Sequence, residues 1–249
     1  MKLLLSIRFF WGLLTLLVLC APANGVAAPA DSRPHAGDKT FHFEFIEDLR
    51  ATGWRVHTPR GKAAAEFTVA ESGTLSVKAR AGVSFFYIDI PQAFETADRL
   101  RWQWRGDQDF PATDLSVPGA DDRPLALHVY FDNAKPRLMS RMAGLFGLPA
   151  GGDVITYIWG GAGPAGTTLA NPFMKEGTGT LVILRASDPG RIPQWINAEV
   201  DLAADYRRIF GRPPPRVRGL AISSDTDDTG ATARASIRKL TLGHGSAQP

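Results

Sequence analysis

Residues 100–105, Leu-Arg-Trp-Gln-Trp-Arg, alternate strictly between apolar and polar side chains. Successive side chains of a β-strand point to opposite faces of its sheet. The leucine and the two tryptophans are therefore predicted to face a core, with the arginines and the glutamine on the other face. An amphipathic helix would instead repeat its apolar residues with a period of about 3.6, so this segment predicts a β-strand.

The same two-residue period recurs on both sides of this segment. Short apolar or alternating runs, separated by Gly, Pro and Asp turns, lie at residues 41–45, 54–57, 67–70, 75–79, 83–90, 125–131, 155–159, 181–185, 195–200, 217–223 and 233–242. About a dozen strands at this spacing are typical of a sandwich or barrel. Two stacked antiparallel sheets give every strand one buried face. We therefore predict a single all-β antiparallel β-sandwich domain over residues 41–243.

Two segments carry a helical period instead. Residues 201–210 place four apolar side chains at helical spacing, and Gly211 followed shortly by three prolines ends the run, which predicts a short helix at the sandwich edge. Residues 137–148 predict a second short helix in a loop. Its apolar side would cover the end of the core, or alternatively form a lid or a patch that contacts a membrane or a partner.

The N-terminal residues predict export. Residues 1–27 combine a basic start at Lys2 and Arg8, an apolar run and a small-residue stretch, which is the pattern of a cleavable secretory signal peptide, with cleavage near Ala27 or alternatively Ala23. The apolar run is shorter than the roughly 18–20 residues of a spanning helix. We therefore expect no transmembrane anchor after cleavage and predict a periplasmic or extracellular location.

Cys20 is the only cysteine of the chain and lies within this leader. Lipidation of Cys20 is disfavoured because the residue before it, Leu19, is not small. A mature chain without a thiol excludes a disulfide framework, a Cys-ligated metal site and a Cys nucleophile. The small, Pro-containing residues 28–40 predict a flexible arm, and residues 244–249 a C-terminal tail.

Charge and motifs exclude several function classes. The 28 basic and 25 acidic residues give +3, and loss of the two basic residues of the leader leaves about +1. The sequence has no stripe of basic residues interleaved with aromatic residues, so it does not predict a nucleic-acid partner. The glycines of residues 161–166 spell G-x-G-x-x-G, but Pro172 prevents a helix soon afterwards, so we interpret them as a hairpin loop rather than a nucleotide site. Serine nucleophile elbows and H-E-x-x-H motifs are absent, whereas a carboxylate pair assembled from distant strands stays open.

The strongest chemical signal is the acidic loop at residues 223–230, Ser-Ser-Asp-Thr-Asp-Asp-Thr-Gly. Its carboxylates repel one another unless a charge offsets them, and Asp225, Asp227, Asp228 and Thr229 are candidate oxygen ligands for Ca²⁺. The loop is not an EF-hand, because Ser236 stands where a bidentate glutamate belongs. The alternative is a solvated acidic turn in which aspartates cap their own backbone.

A second acidic pair, Asp121 and Asp122, precedes the strand that carries His128 and Tyr130 on the face opposite its apolar residues. If the two acidic loops meet at one end of the sandwich, they form one ligand-binding rim. Trp159, at a strand end beside the glycine loop, and Trp195, after the turn at residues 189–193, are the candidates for stacking on a sugar.

With these segments the chain resembles a family of exported bacterial proteins, the domain-of-unknown-function family 3047. The matching stretches are residues 100–105, 120–131, 155–160, 171–173, 205–211, 219–222 and 225–230. The resemblance covers roughly residues 41–242 and implies a jelly-roll β-sandwich similar to carbohydrate-binding modules, with one or two short helices and no established activity. Asn171, in the Asn-Pro-Phe stretch, is a further candidate ligand-binding residue.

These observations predict an exported, non-catalytic binding module for a polar ligand such as an envelope glycan, with Ca²⁺ as a candidate cofactor. Fold-level similarity is an associational argument for such a function. One alternative is a glycan-active hydrolase that uses Asp or Glu at one end of the sandwich. The other is a structural envelope protein without a ligand.

Overall fold

The alternating segments form two β-sheets packed face to face. The computed structural model describes residues 40–70, 73–132, 152–188, 190 and 194–245. The predicted signal peptide (1–27), the predicted arm (28–40) apart from its last residue, and the predicted helix at 137–148 lie outside the described residues.

The first sheet has six strands in the order β11-β6-β13-β4-β3, with β1 also paired to β13. Their bounds are β1 Thr40–His42, β3 Glu66–Val69, β4 Thr74–Arg80, β6 Arg99–Gly106, β11 Ile196–Asp201 and β13 Thr232–Gly243. The second sheet has seven strands in the order β2-β5-β12-β7-β8-β10-β9. Their bounds are β2 Arg55–His57, β5 Val83–Asp89, β7 Arg123–Phe131, β8 Asp153–Trp159, β9 Thr168–Ala170, β10 Gly179–Arg185 and β12 Val217–Asp225.

The main core lies between the two sheets and confirms the period-2 prediction. Every second residue of the quoted segment is buried: Leu100, Trp102 and Trp104 contribute side chains that are at most 2% exposed. The second sheet contributes the facing layer, residues Phe86, Leu127, Val129, Ile155, Tyr157 and Ile222. Burial of these apolar surfaces supplies the main driving force for folding.

A short helix, α1 (Leu202–Phe210), follows β11 directly and confirms the helix predicted at residues 201–210. Asp201 caps its N-terminus, since its side chain accepts a hydrogen bond of 2.8 Å from the Ala204 amide. Gly211 ends the helix in the left-handed region at φ 67°. The Tyr206 ring packs 4.8 Å from that of Phe131, which attaches the helix to the second sheet.

One pair of strands departs from the antiparallel prediction. β8 and β10 run parallel, and β9 pairs with the far side of β10. The glycine-rich residues 161–166 therefore do not form the predicted hairpin loop, because β10 lies between the two strands that they connect. Gly161 has φ 85°, and a Cβ there would lie 2.6 Å from Leu115 Cδ1. The glycine is required by this close approach and not by phosphate binding.

No helix in the described part of the chain is both long enough and apolar enough to cross a membrane.

Candidate functional site

The two acidic loops predicted to share a rim lie together at one end of the second sheet. Asp225 is the last residue of β12 and pairs across the strands with Arg123, the first residue of β7. The Arg123 guanidinium lies 2.9 Å from a carboxylate oxygen of Asp121 and 3.2 Å from one of Asp225. A single buried cation therefore joins both loops.

The other acidic side chains hold the loop backbone in place. Asp122 accepts hydrogen bonds from the amides of Asp228 (3.2 Å) and Thr229 (2.8 Å), and also from the Thr229 hydroxyl. Lys62, from the segment between β2 and β3, forms an ion pair with Asp227. The acidic loop is thus neither free in solvent nor helical, and it is joined to two other segments of the chain.

Burial controls the ionisation of this cluster. Burial raises the pKa of Asp225 to about 7 and that of Asp121 to about 6, although the charge of Arg123 acts in the opposite direction on both. Burial also acts on Asp227, but hydrogen bonds from Asp225 and Lys62 outweigh it and lower the pKa of Asp227. One proton shared between Asp225 and Asp227 accounts for the opposite directions of their shifts.

At the predicted calcium site the acidic side chains already have cationic partners within the chain. Ca²⁺ takes six to eight converging oxygen ligands, whereas no group of three acidic or histidine side chains among the described residues converges in a way that could hold a metal ion. The carboxylates of Asp225 and Asp227 are directed to Arg123 and Lys62. A guanidinium and an ammonium offset the charge for which the sequence suggested a cation.

Calcium is accordingly expected to leave the stability of the domain unchanged. A ligand that binds only the folded state raises the melting temperature progressively once its concentration exceeds Kd. Without such binding, melting curves in excess CaCl₂ and in EDTA should agree within about 1 °C. A melting temperature that rises progressively with calcium concentration would contradict this assignment and restore the metal site.

His128 and Tyr130 lie on the outer face of the second sheet, as predicted, but both are buried. The two ring nitrogens of His128 share hydrogen bonds with Thr156 Oγ1 (2.9 Å) and Ser223 Oγ (2.8 Å). Burial lowers the pKa of His128 to about 3, and the charge of Arg123 acts in the same direction. His128 is therefore a neutral, fully hydrogen-bonded residue of a covered sheet face.

Trp159, the last residue of β8, lines a cleft beside the acidic rim. Its neighbours there are mostly polar: Gly106, Gln108, Asp109, Phe110, Pro124, Arg185, Ser187, Asp188, Gln194 and Ile196. Pro124 follows Arg123 directly, so the cleft and the rim lie at the same end of the sandwich. The cleft combines one indole ring with amide, hydroxyl, carboxylate and guanidinium groups.

Asn171, the remaining predicted residue, does not line this cleft. It follows β9, and its side-chain oxygen accepts a hydrogen bond of 3.0 Å from the Phe173 amide. This contact stabilises a local turn.

Sequence reasoning missed Arg123 and the polar residues of the cleft. Arg123 directly follows the acidic pair in the sequence Asp-Asp-Arg, and that adjacency was the available signal for an internal ion pair. Arg185 and Asp109 carry no such signal, because their strand and loop meet only in the folded chain.

Comparison with solved structures finds carbohydrate-binding modules. The family 11 module of the cellulosomal cellulase Lic26A-Cel5E of Clostridium thermocellum shares 9% identity at a TM-score of 0.42, covering 86% of this chain and 97% of the module. The family 29 module CBM29_1 from Piromyces equi shares 6% identity at a TM-score of 0.39, covering 84% of this chain and 93% of the module. No curated protein matches the sequence.

A family model described as "Protein of unknown function (DUF3047)" matches residues 52–241, which is most of the chain and nearly all of the sandwich. The protein therefore belongs to the DUF3047 family.

Proposed function

We propose that this chain is an exported, non-catalytic module that binds a glycan, and that the Trp159 cleft is its contact surface. The observation that carries the proposal is the composition of the cleft, in which an indole ring stands among hydrogen-bonding side chains. Export rests on the predicted signal peptide at residues 1–27.

A sugar can bind both to an aromatic ring and to hydrogen-bonding side chains. A pyranose ring has an apolar C–H face that packs on an aromatic ring, and its hydroxyls both donate and accept hydrogen bonds. Binding sites of this kind combine an apolar surface with a few placed polar groups. Gln108, Gln194 and Ser187 offer neutral donors and acceptors around the ring, and Arg185 and Asp109 offer charged ones.

The indole ring is held in position before any ligand arrives. It packs edge-on against Trp104 with ring centroids 5.7 Å apart. A Cβ added at Gly106 would lie 3.4 Å from its Nε1 atom, so the ring also rests closely on the backbone of β6. Arg185 lies over the ring at 5.9 Å. A preorganised ring loses little conformational entropy on binding.

The acidic rim has a structural role in this proposal, in contrast to the expectation from sequence. Asp121 and Asp122 are at most 2% exposed and are engaged with Arg123 and with the loop backbone. Carboxyl groups buried to this extent are not accessible to a sugar. We assign them to the support of the neighbouring cleft.

Replacing Trp159 with alanine is expected to weaken glycan binding by more than tenfold, which is a loss of about 1.4 kcal/mol. The measurement is a glycan array on the mature domain, followed by titration of the best neutral oligosaccharide. The matched control is Trp195→Ala. Gln194 and Ile196 line the cleft, but the Trp195 ring lies between Arg105 and Arg238 on the outer face of the first sheet.

Equal affinities of the two variants would refute the assignment of the cleft. Failure of the wild-type domain to bind any glycan would favour the structural envelope protein instead.

One observation favours an enzymatic alternative at the same cleft. Asp109 and Asp188 both line it, and glycoside hydrolysis requires two carboxyl groups that flank the scissile bond. Product analysis after prolonged incubation with the bound oligosaccharide distinguishes the two functions. An intact oligosaccharide supports a binding module, whereas cleavage that is lost in Asp109→Asn identifies a hydrolase.

A further inference from the structure

The outer face of the first sheet carries two cations side by side. Arg234 of β13 lies directly opposite Lys78 of β4 in the antiparallel register. Like charges at directly opposed positions of a sheet are destabilising.

Little in the protein offsets the two charges. Lys78 Nζ is 3.9 Å from Glu66, with the two side chains 44% and 70% exposed, and such exposed ion pairs contribute little. Arg234 is exposed and forms no ion pair or side-chain hydrogen bond with any residue described by the structure. Asp107 is already engaged by Arg105 and by the Ser236 hydroxyl.

The two cations line a groove of about 350 Å³ on this face. Its other polar lining residues are Glu66, Thr68, Ser76 and Asp107. The groove thus combines two closely spaced positive charges with the Thr68 hydroxyl, and with two carboxylates of which Asp107 is engaged elsewhere. It lies on the outer face of the first sheet and shares no lining residue with the Trp159 cleft.

We propose that this groove binds an acidic polysaccharide through one of its carboxylate groups. Arg234 and Lys78 together contact the carboxylate, and the exposed Thr68 forms a hydrogen bond with a neighbouring sugar hydroxyl. A guanidinium and an ammonium close together match the charge of a carboxylate and form charge-assisted hydrogen bonds with it.

The acidic side chains at the groove, Glu66 and Asp107, confine its positive surface to Arg234 and Lys78. Binding of a nucleic acid requires a longer basic surface. A polyuronate carries one carboxylate on each sugar and leaves hydroxyl groups between them. The charge pattern of the groove therefore favours an acidic glycan.

Titration with polygalacturonate tests the proposal. The wild-type mature domain is expected to bind polygalacturonate at low salt, to lose most of that affinity at high salt, and not to bind the fully methyl-esterified polymer. The double variant Arg234→Ser/Lys78→Thr should bind polygalacturonate at least tenfold more weakly.

Two controls separate this groove from other sources of binding. Arg101→Ser removes an arginine of the same sheet that pairs with Glu199 at 3.1 Å, and it should keep the wild-type affinity. The double variant should also keep the wild-type affinity for the neutral oligosaccharide of the Trp159 cleft, with which the groove shares no lining residue, so failure of the Trp159 cleft and failure of the groove are distinguishable. Tighter binding of a DNA oligonucleotide than of polygalacturonate would overturn the proposal in favour of a nucleic-acid surface.

Thermal unfolding adds a measurement that does not depend on the affinity assay. Removing one of two opposed cations relieves repulsion, so Arg234→Ser should melt no lower than the wild type at low salt. Polygalacturonate should raise the melting temperature of the wild type and not that of the double variant. Destabilisation by Arg234→Ser, or an equal effect of the polymer on both proteins, would overturn the proposal.

Discussion

Replacing Arg123 with methionine is expected to lower the free energy of unfolding by about 3–5 kcal/mol, because it leaves two buried carboxyl groups without their cation. The Arg123 side chain is only 7% exposed and contacts Asp121 and Asp225. One carboxylate oxygen of each aspartate already lacks a hydrogen-bond donor among the described residues. Without the guanidinium, each of the two carboxyl groups could stay buried only in its protonated, neutral form.

The loss is expected to be larger at pH 8 than at pH 5. The folded-state pKa values of Asp225 and Asp121, about 7 and about 6, are raised above the ordinary aspartate value of 3.8. The folded state therefore binds more protons than the unfolded state between about pH 4 and 7, and this contribution to stability is lost as the pH rises. Without Arg123 both pKa values rise further, which steepens that loss.

Urea unfolding of both proteins at pH 5 and pH 8 measures the effect. Arg101→Met, which removes one partner of an exposed ion pair with Glu199, should cost less than about 1 kcal/mol. Adding Asp225→Asn to Arg123→Met should recover part of the stability at pH 8, because the amide cannot ionise. A small, pH-independent effect of Arg123→Met would show that the rim is not a buried ion-pair network.

Replacing Trp102 with alanine is expected to lower the free energy of unfolding by about 3–5 kcal/mol, because it opens a cavity between the sheets. The Trp102 ring is 2% exposed and packs against the rings of Trp104 and Tyr157, with centroid distances of 5.2 and 6.0 Å. A loss of this size is a large part of the roughly 5–15 kcal/mol that stabilises a typical domain.

Trp102→Phe should cost much less than Trp102→Ala. Phenylalanine retains most of the buried apolar surface, and the Nε1 atom of Trp102 has no hydrogen-bond partner in the described part of the chain, so no hydrogen bond is lost. Denaturant unfolding of the two variants provides the comparison. A Trp102→Ala protein as stable as the wild type would contradict the assignment of this tryptophan to the core.

The sequence alone was sufficient to predict the sandwich, because the two-residue period is a local property of each strand. A strand that alternates apolar and polar side chains must bury one face, and the buried positions of β6 are those predicted from residues 100–105. The helix α1 was predictable for the same reason, since its apolar spacing and its glycine stop are local. The parallel pair of β8 and β10 was not, because strand order depends on pairings between distant segments.

The acidic residues show the same limit of prediction from sequence at the candidate site. Their number and spacing indicated that a positive charge must offset them, and the structure places that charge on Arg123 and Lys62 where the sequence suggested calcium. Aspartates in a turn are normally exposed, so nothing local to residues 121–122 or 225–228 indicated burial. Burial results from two loops, distant in sequence, that meet at one end of a sheet.

Local sequence patterns thus determined which residues form strands, which face of each strand is apolar, and where the helix begins and ends. Tertiary structure decided which strands are neighbours, which charges neutralise one another, and that Trp159 stands in a polar cleft while Arg234 and Lys78 share a groove. The physical reason is the distance along the sequence over which each effect acts. Hydrophobic periodicity relates residues two to four positions apart, whereas ion pairs and clefts are formed by segments that only folding brings together.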